Sequence, residues 1–176
     1  VTCTNCHAPD HDENIQKHTA RVNCTVCHIP VFAKVAGTDM IRYWNQPGEL
    51  VAAKGLYEPA HEKDTDVVPE YRFFNGLSNF YQFGDPVEVA ENGRVVMSAP
   101  EGSIDDPAAK IYAFKRHQAK QPVEPDNGRL LPLKIGIFFQ TGDVDTAIVA
   151  GAGPQREGGV GWGDNGHEFA DTERYM

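Results

Sequence analysis

Four cysteines stand in two like settings, Cys3-Thr4-Asn5-Cys6-His7 and Cys24-Thr25-Val26-Cys27-His28, and they account for all the cysteine in the chain. Residues i, i+3 and i+4 share one face of a helical turn. Two thiols and an imidazole therefore converge at each motif, the donor set that ties a porphyrin through two thioether bonds while the imidazole reaches its iron. C-x2-C repeated is also zinc spacing, but zinc gives no reason for a histidine directly after each second cysteine. The residues read as sites for two covalently bound haem c groups. Cys3, Cys6, Cys24 and Cys27 are the attachment residues, and His7 and His28 are the first axial ligands.

An electron-transfer haem needs a second axial ligand, whereas a substrate-binding haem keeps that position open. His11, His18, His61, His117 and His167 remain for two positions. His11 follows His7 by one helical turn, too close to reach round haem one, so it is a candidate for haem two or for a haem on another segment. His18 lies in the stretch between the motifs, long enough to fold back over a porphyrin, and is the first candidate distal ligand. His117 is a third candidate, while His61 and His167 read as surface imidazoles. Met40, Met97 and Met176 are weaker axial candidates.

The elements that must hold these groups are short. With 17 glycines and 12 prolines in 176 residues, the chain reads as loop-rich, with short α-helices around the haems and a minor β-hairpin, a multihaem cytochrome c architecture. Residues 1–30 form a dihaem-binding segment, and residues 31–176 form a haem-free scaffold packed on the haems in the same domain. Pro30 stops the second motif's helix, because the residue before proline is pushed out of the helical region. Aromatic patches at Ile41–Trp44 and Phe73–Phe83 suggest core. Val87–Val89, a turn at Glu91–Arg94 and Val95–Met97 read as the hairpin. Asp105-Asp106-Pro107 reads as a helix start, Leu133–Phe139 as a buried strand or helix, and Asp143–Ala150 as a helix closed by Gly151. The segment Gly151–Gly166 holds seven of the 17 glycines and reads as a flexible loop.

Charge narrows the partners. The formal net charge is −9 with the basic residues scattered, so the footprint of a nucleic-acid binder is missing. No apolar run approaches the roughly 20 residues of a membrane span. Haem attachment to such motifs takes place after export, which places the chain in the periplasm or outside the cell. No leader precedes Val1, and the first motif begins two residues later, so the chain reads as a mature form or a piece of a longer protein.

Several stretches resemble the central part of the octahaem tetrathionate reductase family of multihaem c-type cytochromes. They are Cys24-Thr25-Val26-Cys27-His28-Ile29-Pro30-Val31-Phe32-Ala33, Val67–Gly76, Gly102–Ile111 with Phe114-Lys115 and Lys120-Gln121-Pro122, and Thr172–Met176. The resemblance implies a fragment or subunit of a multihaem reductase of tetrathionate or of nitrogen and sulfur oxyanions. It departs from the family in having motifs for two haems instead of eight. Where the family places a lysine after threonine as an unusual axial ligand, this chain has Thr38-Asp39. The departures favour an electron carrier over an enzyme. The expected partners are redox proteins or other haem-bearing chains, including copies of itself in an oligomer or filament.

Overall fold

Asp12 and Asn23 start the two helices of the N-terminal segment. The Asp12 carboxylate accepts hydrogen bonds from the amides of Asn14 and Ile15 at 2.9 and 3.1 Å, and the Asn23 side chain accepts from Thr25 at 3.0 Å. Each satisfies donors that a helix leaves unpaired at its N-terminus. In the computed structural model, which describes residues 3–8, 10–125, 128–152 and 166–176, α1 spans Glu13–His18 and α2 spans Cys24–His28. A 3-10 turn covers Cys3–Asn5. Both helices are shorter than the roughly 12–15 residues an isolated helix needs, so they depend on packing. The chain around α2 is docked through the Asn23 amide, which donates to Ile111 O at 2.8 Å, and a parallel bridge between Val22 and Ile111.

The rest of the chain corrects the expected architecture. The fold is 37% strand and 19% helix, not helix-dominated with a minor hairpin. The strands are β1 (Thr38–Tyr43), β2 (Glu49–Val51), β3 (Leu56–Glu58), β4 (Ala60–Asp64), β5 (Glu70–Phe74), β6 (Ser78–Phe80), β7 (Val95–Pro100), β8 (Lys110–Phe114), β9 (Arg116–Val123) and β10 (Glu168–Tyr175). Six of them form a mixed sheet in the order β4-β1-β9-β10-β7-β6, and β2-β3 and β5-β8 form two-stranded pairs. The physical reason for the miss lies in the central strands. Arg-His-Gln-Ala-Lys-Gln-Pro-Val in β9 and Glu-Phe-Ala-Asp-Thr-Glu-Arg-Tyr in β10 carry polar groups on both faces, so they lack the alternation of a half-buried strand.

The expected hairpin survives as a turn. Ala90 donates to Arg94 O at 2.8 Å and a single bridge joins Val89 to Val95, but β7 pairs along its length with β10 and β6. The Asp105-Asp106-Pro107 segment is a turn, not a helix. Asp106 spends its carboxylate on the amide of Ala108 and on Asn75 Nδ2, both at 2.9 Å, which ties this turn to the end of β5. Two further helices follow, α3 (Ile135–Thr141) and α4 (Val144–Ala152). The Leu133–Phe139 segment thus resolves as helix. Gly151 does not close α4, which runs on to Ala152, and residues 153–165 of the expected glycine loop lie outside the described residues. Gly142 ends α3 with φ +68°, donating to Phe138 O at 2.7 Å.

The core forms where α3 and α4 meet one face of the sheet. Trp44 and Ala119 from the sheet pack against Phe138 and Ala147, with Phe138 edge-on to Trp44 at 5.3 Å. The opposite face carries polar pairs such as Lys120–Asp171 at 2.9 Å.

The Asp106 and Asp143 contacts set an acid dependence. Hydrogen bonds from Asn75 and Ala108 hold the Asp106 carboxyl below its ordinary range, and the backbone and hydroxyl of Thr146 do the same for Asp143. A carboxyl depressed in the folded chain gives stability that is full above its unfolded value of about 3.9 and drains as pH falls through the folded one. The stability advantage of the native chain over Asp106→Asn, measured by urea midpoints, is therefore expected to stay constant above about pH 5 and to shrink below pH 4. A difference that persists unchanged at pH 3 would refute it.

Candidate functional site

Both cysteine motifs sit on single helical turns at the surface. Cys6 and His7 donate their amides to Cys3 O at 3.2 and 2.9 Å, winding the first motif into one turn. In the second motif the whole of Cys24–His28 is helical, and Ile29 caps it by donating to Thr25 O at 2.9 Å, the stop expected before Pro30. All four thiols are free. Cys3, Cys6 and Cys27 are exposed and Cys24 is half-buried. Free thiols on the outside of a turn, each pair followed by an exposed imidazole, are the donor chemistry that thioether attachment and axial ligation need, so these residues fit a haem at each motif.

The candidate distal ligands separate. The rings of His11 and His28 lie 5.9 Å apart between centroids with their planes 29° from parallel. His18, at the end of α1, is exposed. His61 is held by Pro59 O at 3.1 Å, and His167 by Asp145 at 3.4 Å and the edge of Phe169. His117 is far more enclosed, at 6% exposure in the middle of the sheet. Burial first, then the positive charge of Arg174, Lys115 and Arg42, push its imidazole down to about 4.

Thr38 and Asp39 begin β1. The Asp39 carboxylate pairs with Arg42, while Lys115 Nζ donates to Thr38 Oγ1 at 2.8 Å and to Asp39 O at 2.9 Å. A lysine amine is thus present at this position, contributed by the junction of β8 and β9 and not by the residue after the threonine.

Strand register gathers further groups around His117. It stands directly opposite Arg174 across β9 and β10, Arg174 stands opposite Ser98 of β7, and Arg42 stands opposite Ala119. Directly opposite residues share a face, so the imidazole and both guanidinium groups rise from one side of the sheet. They line a cavity of about 490 Å³. Arg42 and Arg174 carry no local signal in the sequence, because nothing but the register brings them together.

Among the described residues no helix is long and apolar enough to cross a membrane. The profile of a family described as "Cytochrome c bacterial" matches residues 48–176. That span excludes both cysteine motifs, so the match rests on the scaffold and is independent of the thiols. The crystal structure of octaheme cytochrome c from Shewanella oneidensis is similar at a TM-score of 0.80 and 30% identity, over 100% of this chain and 44% of that one. The chain spans less than half the length of that neighbour. The resemblance read from the sequence is borne out by these two matches. No curated protein matches the chain.

Proposed function

The chain belongs to the bacterial cytochrome c family, and from that premise we propose that it is a dihaem electron-transfer unit. Covalently bound haem c supplies one-electron chemistry when attached, and residues 1–30 are the segment that holds it. Cys3, Cys6 and His7 take one haem, and Cys24, Cys27 and His28 take the other. The 17 residues between Cys6 and Cys24 keep the two groups near one another. Residues 31–176 act as the scaffold, docking α2 through Ile111. The unit works in the periplasm or outside the cell, exchanging electrons with redox proteins or other haem-bearing chains.

The observation that carries this reading is the placement of His11. Two imidazoles that share one metal ion through bonds of about 2 Å hold their ring centres roughly 6 Å apart. His11 and His28 are separated by 5.9 Å. The two rings are stacked at that separation, which supports His11 as the distal ligand of the second haem and leaves His18 as the candidate for the first. Saturated ligation on both irons favours electron transfer, since neither keeps a site for substrate.

The test is spectroscopic. Both haems of the intact holoprotein are expected to be low-spin and indifferent to carbon monoxide. His11→Ala should turn one haem high-spin, His18→Ala the other, and the double variant both. Wild-type protein with a high-spin haem that binds carbon monoxide would sink the electron-carrier reading. A His11→Ala protein that keeps two low-spin haems would sink the ligand assignment alone.

A further inference from the structure

His18 ends α1 and Cys24 begins α2, so residues 19–23 set where this candidate ligand stands relative to the second motif. A short connector between two helices is ordered only by contacts that offset its loss of conformational freedom. The main chain first turns back on itself: Arg21 and Val22 donate their amides to His18 O at 2.9 and 2.8 Å. The same two residues then meet the scaffold. Ile111 donates its amide to Arg21 O at 2.8 Å, and Val22 forms the parallel bridge to Ile111. The His18 carbonyl is therefore bonded directly to residues that are themselves fixed to β8.

Two cationic side chains close the grip. The Arg21 guanidinium donates to Asp106 O at 2.8 Å and to Ile104 O at 2.5 Å, and it lies over the Phe73 ring at 5.7 Å. Lys110, the first residue of β8, works in the other direction, from the scaffold to the connector, its Nζ donating to Thr19 O at 2.7 Å. The turn that receives Arg21 is itself held, since the Asp106 carboxylate accepts from Asn75 Nδ2 and from the Ala108 amide. Both charges are thus directed at main-chain carbonyls. A charged donor makes a stronger and shorter hydrogen bond than a neutral one, so each contact fixes a position in the backbone. His11 is held by different means, within its own segment, through Gln16 Nε2 on His11 O at 2.7 Å. The two candidate distal ligands therefore depend on separate contacts.

We propose that Arg21 and Lys110 are positioning residues for electron transfer: by fixing residues 19–23 against β8 and the turn at 104–106, they hold His18 in place as the distal ligand of the first motif's haem. The inference rests on the reading of the chain as a dihaem unit with His18 as a distal ligand. A ligand already held in its bound place gives up less conformational freedom on binding than one on a loose segment, and preorganisation of that kind is expressed as affinity. A held His18 keeps the iron saturated. A loose one opens the position to small external ligands.

The ferric holoprotein is titrated with cyanide, which takes an axial position only where the histidine there gives way. Haem one is identified as the group that His18→Ala turns high-spin. At that haem Arg21→Gln and Lys110→Gln are each expected to raise the cyanide affinity about tenfold, the scale of one hydrogen bond to a charged donor. Haem two should keep its native affinity in both variants. Arg21→Lys retains the charge but holds only one of the two carbonyls, so it should fold and give a gain of about threefold. Equal gains at both haems would mark a general loosening of the segment and overturn the proposal. Unchanged affinity in both glutamine variants would overturn it too, and a native value in Arg21→Lys does so even where a glutamine variant fails to fold. The ligand reading is decided separately. If His18→Ala leaves both haems low-spin, that reading falls and the positioning role falls with it. If His18→Ala opens haem one while the Arg21 and Lys110 variants match the native protein, the positioning role alone is lost. A covalent haem count other than two, by mass, defeats the dihaem reading.

Discussion

Replacing Cys24 and Cys27 together by alanine is expected to lower the covalent haem count from two to one, read by mass and by the haemochrome spectrum, while the chain stays folded. The effect on haem is large because no other thiol can substitute. Every remaining cysteine belongs to the first motif. The effect on the fold is small because Cys27 is exposed and Cys24 half-buried, and because α2 is held by main-chain contacts. The Asn23 cap, its amide bond to Ile111 O at 2.8 Å and the Val22–Ile111 bridge all persist when the thiols are truncated. Alanine also has the best helix propensity, so the turn itself does not suffer. Electron exchange between the haems disappears in the same variant, and the surviving haem keeps its spin state, since His18 is its assigned distal ligand. Retention of both haems would mean that the second motif does not attach one. Loss of both would mean that the two sites are built as a single unit.

What the sequence disclosed and what it hid divide along a physical line. The motif helices were legible because their signals are local: an i, i+3, i+4 face, an asparagine cap at Asn23 and a proline stop at Pro30. The aromatic run from Phe73 was legible as packing, and Phe74 does meet Tyr112 and Phe114 edge-on at 5.2 and 5.7 Å. The sequence turned His11 away from haem one, and its ring stacks 5.9 Å from that of His28. The sheet was hidden because β9 and β10 spend their alternating positions on polar residues. Their inward face lines the cavity holding His117, Gln121 and Arg174, so the usual apolar period is absent. Asp106 shows the reverse error. An aspartate before proline resembles a helix cap, but its carboxylate has a long-range claimant in Asn75, and tertiary contact overrides the local preference. Arg42 and Arg174, remote in sequence, become neighbours through two strand pairings that no local pattern encodes.

Phe138→Ala is expected to be the most destabilising of the single substitutions considered, by about 3–5 kcal/mol, measured from urea unfolding of the holoprotein. Phe138 is 0% exposed and joins the helices to the sheet. Its ring stands edge-on to Trp44 at 5.3 Å and to Phe139 at 6.2 Å, and α3 packs on both β3 and α4. The close approach of Gly48 also depends on it, since a Cβ at that glycine would lie 3.1 Å from the Phe138 ring. The surrounding groups are poorly placed to collapse into the void. Trp44 also carries the Arg42 guanidinium over its ring at 5.6 Å, and Gly142, in its left-handed conformation, ends α3. A domain stable by about 5–15 kcal/mol loses a large fraction of its margin from such a change. The covalent haem count should stay at two, because thioether attachment depends on the turns at Cys3–His7 and Cys24–His28. A loss below about 1 kcal/mol would show that the sheet, and not the junction of α3 with Trp44, carries the stability of the scaffold.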